Sequence, residues 1–239
     1  MKYKMVNLIV ILYILISLLI TGCMSAVPKE KLHTMKRLGI ISFLGDDIEL
    51  REINFLHHNI KSFSVESWKI DEYVQEAISK EITVQPGLTV VKVNYDHKHL
   101  QNLNFAQSKY ARGSRNLQAS VVDQISAIAK ENHLDIVIVI SYLGQPENPI
   151  LPLGILKSVN GVRWWITSDM NVFDGYSLEN IGRTWFSTPW ETEIDKSYWL
   201  PSISSIDKLR YLENIFKNAL KEELIIKLKY LGFIDSKDN

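Results

Sequence analysis

The chain has 239 residues, with 27 basic and 27 acidic side chains and a formal net charge of zero. That balance lacks the concentrated basic character of a nucleic-acid-binding surface, and a single cysteine leaves no pair for a disulfide framework. Stability must come from an ordinary hydrophobic core, and the length suits one domain.

In chain order, the first feature is Lys2 and Lys4 followed by an apolar run from Met5 to Ile20, interrupted only by Asn7 and Ser17. The run is shorter than the roughly 20 residues a spanning helix needs, and it matches the core of a signal peptide. Directly after it come Ile20-Thr21-Gly22-Cys23, and Cys23 is the only cysteine.

This segment resembles the lipobox of bacterial lipoproteins. The resemblance implies that residues 1–22 are a signal peptide, cleaved before Cys23, and that Cys23 carries lipid on its sulfur and its new amino terminus. An uncleaved amino-terminal anchor is the alternative. Several acyl chains would make the attachment stable, since one chain alone binds a bilayer only marginally. Met24 stands where lipoproteins kept at the inner membrane often carry Asp, so in a cell with two membranes the expected location is the outer membrane, facing the periplasm. With the signal removed, 25 basic residues face 27 acidic ones over 217 residues, and nothing attracts a polyanion.

Residues 23–36 read as a lipidated tether containing Pro28, Lys29, Lys31 and Lys36 without an apolar period, a spacer whose lysines could also touch anionic head groups. Residues 37–234 read as a single α/β domain, and 235–239 as a polar tail. Leu38 to Leu44 is a short apolar run ended by Gly45-Asp46-Asp47, which predicts a buried strand. After an irregular stretch, Ile70, Val74, Ala77, Ile78 and Ile82 recur at helical spacing, with Ser67 or Asp71 near the start and Pro86-Gly87 after the end.

Leu88 to Tyr95 alternates as a second strand. The segment from Gln101 to Leu117, with Gly113, reads as a mobile insertion. Val121, Val122, Ile125, Ile128 and Ala129 then mark another helix, with Ser120 as its cap. Asp135 to Ser141, Asp-Ile-Val-Ile-Val-Ile-Ser, is apolar on both faces and β-branched, which predicts a central strand.

A loop with Pro146, Pro149 and Pro152 follows. Val162 to Phe173 and Tyr176 to Phe186 flank Asp174-Gly175, a hairpin signal. Last comes a stripe of Ile206, Leu209, Leu212, Phe216, Ala219, Leu220, Leu224, Leu228 and Leu231, with Ser204 and Asp207 at its start and Gly232 at its stop. The expected fold class is α/β: a single mixed sheet in the order β-α-β-α-β-hairpin-α, with helices packed on it and a long carboxyl-terminal helix.

Gly39-Ile-Ile-Ser-Phe43, Ile128 to Asp135 leading into Ile136-Val-Ile-Val-Ile140, and Asn171-Val-Phe-Asp-Gly175 resemble the periplasmic α/β module of curli-secretion lipoproteins, of lipoprotein activators of penicillin-binding proteins and of the TolB amino-terminal domain. The resemblance implies a non-enzymatic module that binds envelope proteins. Ser141-Tyr142 departs from the glycine that usually closes the third strand of that module.

Candidate chemistry is sparse. His97 and His99, two apart on an extended backbone with Asp96 beside them, would face one side but are too few to close a metal site. Asp46, Asp47, Asp96 and Ser141 fall at predicted strand ends, where open α/β sheets form ligand crevices, and this supports the alternative of a surface-tethered hydrolase or small-ligand receptor. The same residues commonly bond their own turns. No elbow, phosphate loop or zincin segment is present, and no cofactor or metal is expected.

Five of the six tryptophans lie between Trp164 and Trp199. Trp185, Trp190, Tyr198 and Trp199 crowd the connection before the last helix, either as a partner-binding surface or as a secondary core under that helix. The expected partners are the membrane, through the lipid anchor, and an envelope protein. Alternation at Trp164 and Trp165 puts these two on opposite faces, one of them expected to be exposed.

Overall fold

A computed structural model describes residues 24–54, 58–82, 87–108, 117, 119–142, 151–187, 193–195, 199 and 206–234. The elements run α1 (Lys29–Thr34), β1 (Arg37–Ser42), β2 (Asp47–Ile53), β3 (His58–Ser64), a 3-10 turn (Glu66–Trp68), α2 (Ile70–Ile82), β4 (Thr89–Val91), α3 (His97–Ser108) and α4 (Ala119–Glu131). They continue as β5 (Ile136–Ser141), β6 (Leu153–Ser158), β7 (Gly161–Asp174), β8 (Asn180–Ser187), β9 (Glu193–Ile194) and α5 (Ile206–Leu231).

One mixed sheet has the order β3-β2-β6-β7-β5-β1-β4, with β8 and β9 also paired along β7. β4, β1 and β5 are parallel, as the early strand-helix alternation predicts. β7 is 14 residues long. Its first half pairs with β6 and β9 and its second half with β5 and β8, so a single strand joins the parallel group to the antiparallel one.

Alternation along each strand divides the core in two. Leu38, Ile40, Ile136, Ile138, Ile140, Ile166, Met170 and Val172 point to the face covered by α2 and α5. Ile41, Val137, Val139 and Phe173 point to the other face, under α4 and Leu100 of α3. Every residue of β5 is buried, so the β-branched run is apolar because both of its faces are covered. Each such side chain contributes about 1.5–3 kcal/mol on burial.

The 26-residue α5, about 39 Å long, lays Leu212, Phe216, Leu220, Leu224, Leu228 and Leu231 on this core. It ends at Gly232, φ +90°. Phe233 N–H donates to Leu228 O and Gly232 N–H to Lys229 O, the paired bonds of a Schellman stop. Ile206 lies outside the stripe and is exposed. The expected Ser204 cap falls outside the described residues, as do the 1–22 signal, Cys23 and the 235–239 tail. Among the described residues no helix is long and apolar enough to cross a membrane.

Several expectations change. The irregular stretch after Gly45 is the β2–β3 hairpin, and the proline loop leads into β6. The second strand shortens to Thr89–Val91, because Tyr95 turns back and its hydroxyl bonds both Ser42 N–H (2.7 Å) and Ser42 O (2.8 Å), taking the place of further ladder rungs. The presumed insertion begins inside α3, which Asp96 caps through a 2.9 Å bond from His99 N–H. Ser120 lies within α4, whose first residue is Ala119.

The tether expectation changes most. Residues 24–36 are docked: Val27 and Met35 are buried, and α1 forms between them. Ser25 exchanges two 2.8 Å backbone bonds with Arg183 of β8. Lys31 Nζ reaches Asp174 Oδ2 at 2.5 Å.

Asp174 also accepts from the amides of Tyr176 and Ser177. Burial alone raises its pKa, but the Lys31 and amide bonds outweigh burial and hold it at about 2. At neutral pH the carboxylate is ionised in folded and unfolded chains alike, and its contacts stabilise the fold in full. As pH falls below the ordinary value of 3.8, the unfolded chain takes up the proton first, so this stabilisation is lost on the way down to about 2. Asp174→Asn should lower the thermal midpoint by a few degrees at neutral pH, and the gap to the parent protein should close over that acid window when melting is followed by circular dichroism.

Candidate functional site

Two of the three strand-end aspartates, Asp46 and Asp96, are engaged within the fold. Asp46 Oδ2 lies 3.5 Å from both His97 Nε2 and Lys98 Nζ, and Lys98 also reaches Glu66 at 2.9 Å. Asp96 is spent on the α3 cap, and Asp47 is exposed at the start of β2. Ser141 is fully buried, and its carbonyl accepts from Ser168 Oγ at 2.8 Å. His97 and His99 sit in the first turn of a helix, where two residues subtend about 200°, so they diverge instead of sharing a side. Among the described residues no group of three or more His, Cys, Asp or Glu could hold a metal ion.

Beside them is a carboxylate that sequence reading treated only as a helix start. Asp71, buried in the first turn of α2, accepts from Ser42 Oγ (2.6 Å), Leu44 N–H (2.8 Å) and Gly45 N–H (3.2 Å). Burial pushes its pKa up, against the pull of these three donors and of His97. The bonds fasten the end of β1 to α2 and fix the wall of a groove described below. Asp71→Ala leaves three buried donors without their acceptor and should cost about 3 kcal/mol, measured as a lowered urea midpoint.

The aromatic residues separate. Trp164 and Trp165 are both buried on opposite faces, which corrects the expectation that one would be exposed. Trp164 packs edge-on against Phe216 at 5.7 Å. Trp165 lies across Gly154, where an added Cβ would come within 1.9 Å of the indole, and Arg51 stacks on it at 5.8 Å. Arg51 also pairs with buried Glu49.

Trp199 is buried too, with Lys157 Nζ over its ring at 5.5 Å, and so packs where the sequence offered it as a docking residue. Trp190 and Tyr198 lie outside the described residues. Trp185 on β8 is 44% exposed. The structure therefore does not gather the four aromatic candidates into one described surface.

The sheet does present open edges. β3 is exposed along most of its length, with Phe63 alone of its side chains packed against the core. β4, at the other end of the sheet, is short and runs beside a groove of about 310 Å³ between itself and α2. Ile40, Val90 and Val91 form the apolar part of the groove, with Glu72, Glu76, Lys80 and Lys92 around it.

Thr89 N–H donates at 2.7 Å to the carbonyl of Lys36, the residue just before β1. In a parallel ladder the next residue turns its backbone groups the opposite way, so Val90 N–H and C=O face outward. An edge that no described strand pairs, lying over an apolar groove, suits an extended peptide that adds a strand and places alternate side chains in the groove.

No protein-family model matches this chain, and no curated protein matches it. Among solved structures it is similar to the LpoB C-terminal domain from Salmonella enterica, at 14% identity and a TM-score of 0.26, over 70% of this chain and 85% of that one. It is also similar to the hypothetical protein CT253 from Chlamydia trachomatis, at 11% identity and a TM-score of 0.37, over 83% of this chain and 99% of that one. Neither likeness carries a residue role into this chain.

Proposed function

We propose that this protein is a membrane-anchored lipoprotein of the cell envelope, acting as a non-enzymatic protein-binding or assembly factor. Its anchor is lipid on Cys23, inferred from the Ile20-Thr21-Gly22-Cys23 segment. Its working surface is the β4 edge, and its ligand an extended segment of another envelope protein. The observation that carries the binding reading is that edge: outward backbone groups at Val90, an apolar groove beside it, and acidic and basic side chains at its rim. The mixed charge fits a segment carrying both signs around an apolar residue.

The alternative built on Asp46 and Asp96 loses ground because both are engaged with His97, Lys98 or the α3 amides. In a cell with two membranes the proposed place is the outer membrane, on the periplasmic side.

A photo-crosslinking residue at Thr89, in cells, should trap one dominant envelope protein. Val90→Pro removes an outward N–H together with a half-buried apolar side chain, and should abolish that product, whereas Val90→Ala, which trims the same side chain and keeps the N–H, should retain it. Persistence of the product in Val90→Pro, or a ladder of unrelated products, would count against the edge. Cys23→Ser should release the protein from the membrane fraction.

A further inference from the structure

The docked amino-terminal segment limits where the anchor can be. Ser25 N–H bonds Arg183 O and Arg183 N–H bonds Ser25 O, each at 2.8 Å. Val27 N–H bonds Leu231 O at 3.2 Å, and the Val27 side chain is buried. Gly182 makes the close approach possible, since a Cβ there would come within 2.6 Å of Val27 Cγ2. Cys23 is only two residues before Ser25 in the sequence, and two residues of chain span at most about 7 Å from a backbone fixed to β8. That leaves no length for a spacer.

The Ser25–Arg183 pairing is antiparallel. The chain leading back toward Cys23 and the β8 strand leading on to Trp185 therefore leave the pair in the same direction. Trp185 stands two residues past Arg183, about 7 Å along that course. It is 44% exposed, while the neighbouring Arg183 is engaged by Asp169 at 3.3 Å. The interfacial layer of a bilayer is about 5–8 Å deep on each side, and tryptophan favours that layer, with its ring in the apolar part and its N–H toward water.

We propose that the domain rests directly on the bilayer along its β8 side, with the Trp185 indole seated in the head-group layer beside the acylated residue. This rests on the lipoprotein reading, and it makes the lipid surface a second, fixed contact of the folded domain. The β4 edge, at the opposite end of the β4-β1-β5-β7-β8 run, then faces away from the membrane.

Lipidation consumes the thiol of Cys23, so Trp185→Cys in the lipidated protein offers a single site for a fluorescent label, and Thr89→Cys supplies a control on the far edge. In vesicles of phosphatidylethanolamine and phosphatidylglycerol, aqueous iodide should quench the label at 185 roughly threefold less than the label at 89. Equal quenching in vesicle-bound protein would overturn the flush orientation and leave the lipid anchor standing. Protein that fails to float with the vesicles would overturn the anchor and this inference with it. Without any label, brominated lipid should quench part of the tryptophan emission, and Trp185→Phe should remove that part. Undiminished quenching in Trp185→Phe would refute the assignment to Trp185.

Discussion

A strand of 14 residues is longer than ordinary neighbours can cover, and β7 resolves this by changing partners half-way. Up to Ile166 it is held by β6 and β9, and from Thr167 by β5 and β8. This continuity fixes the β2–β3 hairpin and β6 relative to the parallel β4-β1-β5 group. It also carries alternation through both halves, so that even-numbered residues such as Trp164, Ile166, Met170 and Val172 meet α2 and α5 in one core. The irregularity in pairing with β8 between Val172 and Phe173 lies near the end that leads into the Asp174 turn.

The parallel half of the fold is legible in the sequence because its strands are covered on both faces. Asp135 to Ser141 and Leu38 to Leu44 are continuous apolar runs, and α2 and α4 show clear helical periods. The long last helix and its glycine stop are equally plain. The antiparallel extension is obscure for the opposite reason. β3 is exposed, and β2 keeps Glu49 and Arg51 among its buried or half-buried residues, so neither reads as a strand by hydrophobicity. β6 is masked by the prolines before it, and α3 by a sequence rich in His, Asn and Gln, although Asp96 offered a cap signal.

The β4 edge is hardly legible at all. A short strand such as Thr89–Val91 has no distinctive pattern, and which strand ends a sheet depends on pairing between distant segments. The aromatic residues misled in a related way. Composition placed five tryptophans in one region, but register and the bare surface of Gly154 determine which rings are covered. Asp71 shows the same limit: its helix-start position was readable, its three donors from the end of β1 were not.

The seat of Val27 is built from Gly182 and Leu231, residues close to the far end of the chain. The first part of the domain to be synthesised is therefore the last to find its place. Until α5 is complete, Val27 N–H has no Leu231 carbonyl to bond and the amino-terminal seam stays unsealed. Closure of the seam ties the start of the domain to its last helix, so that neither is held in place without the other.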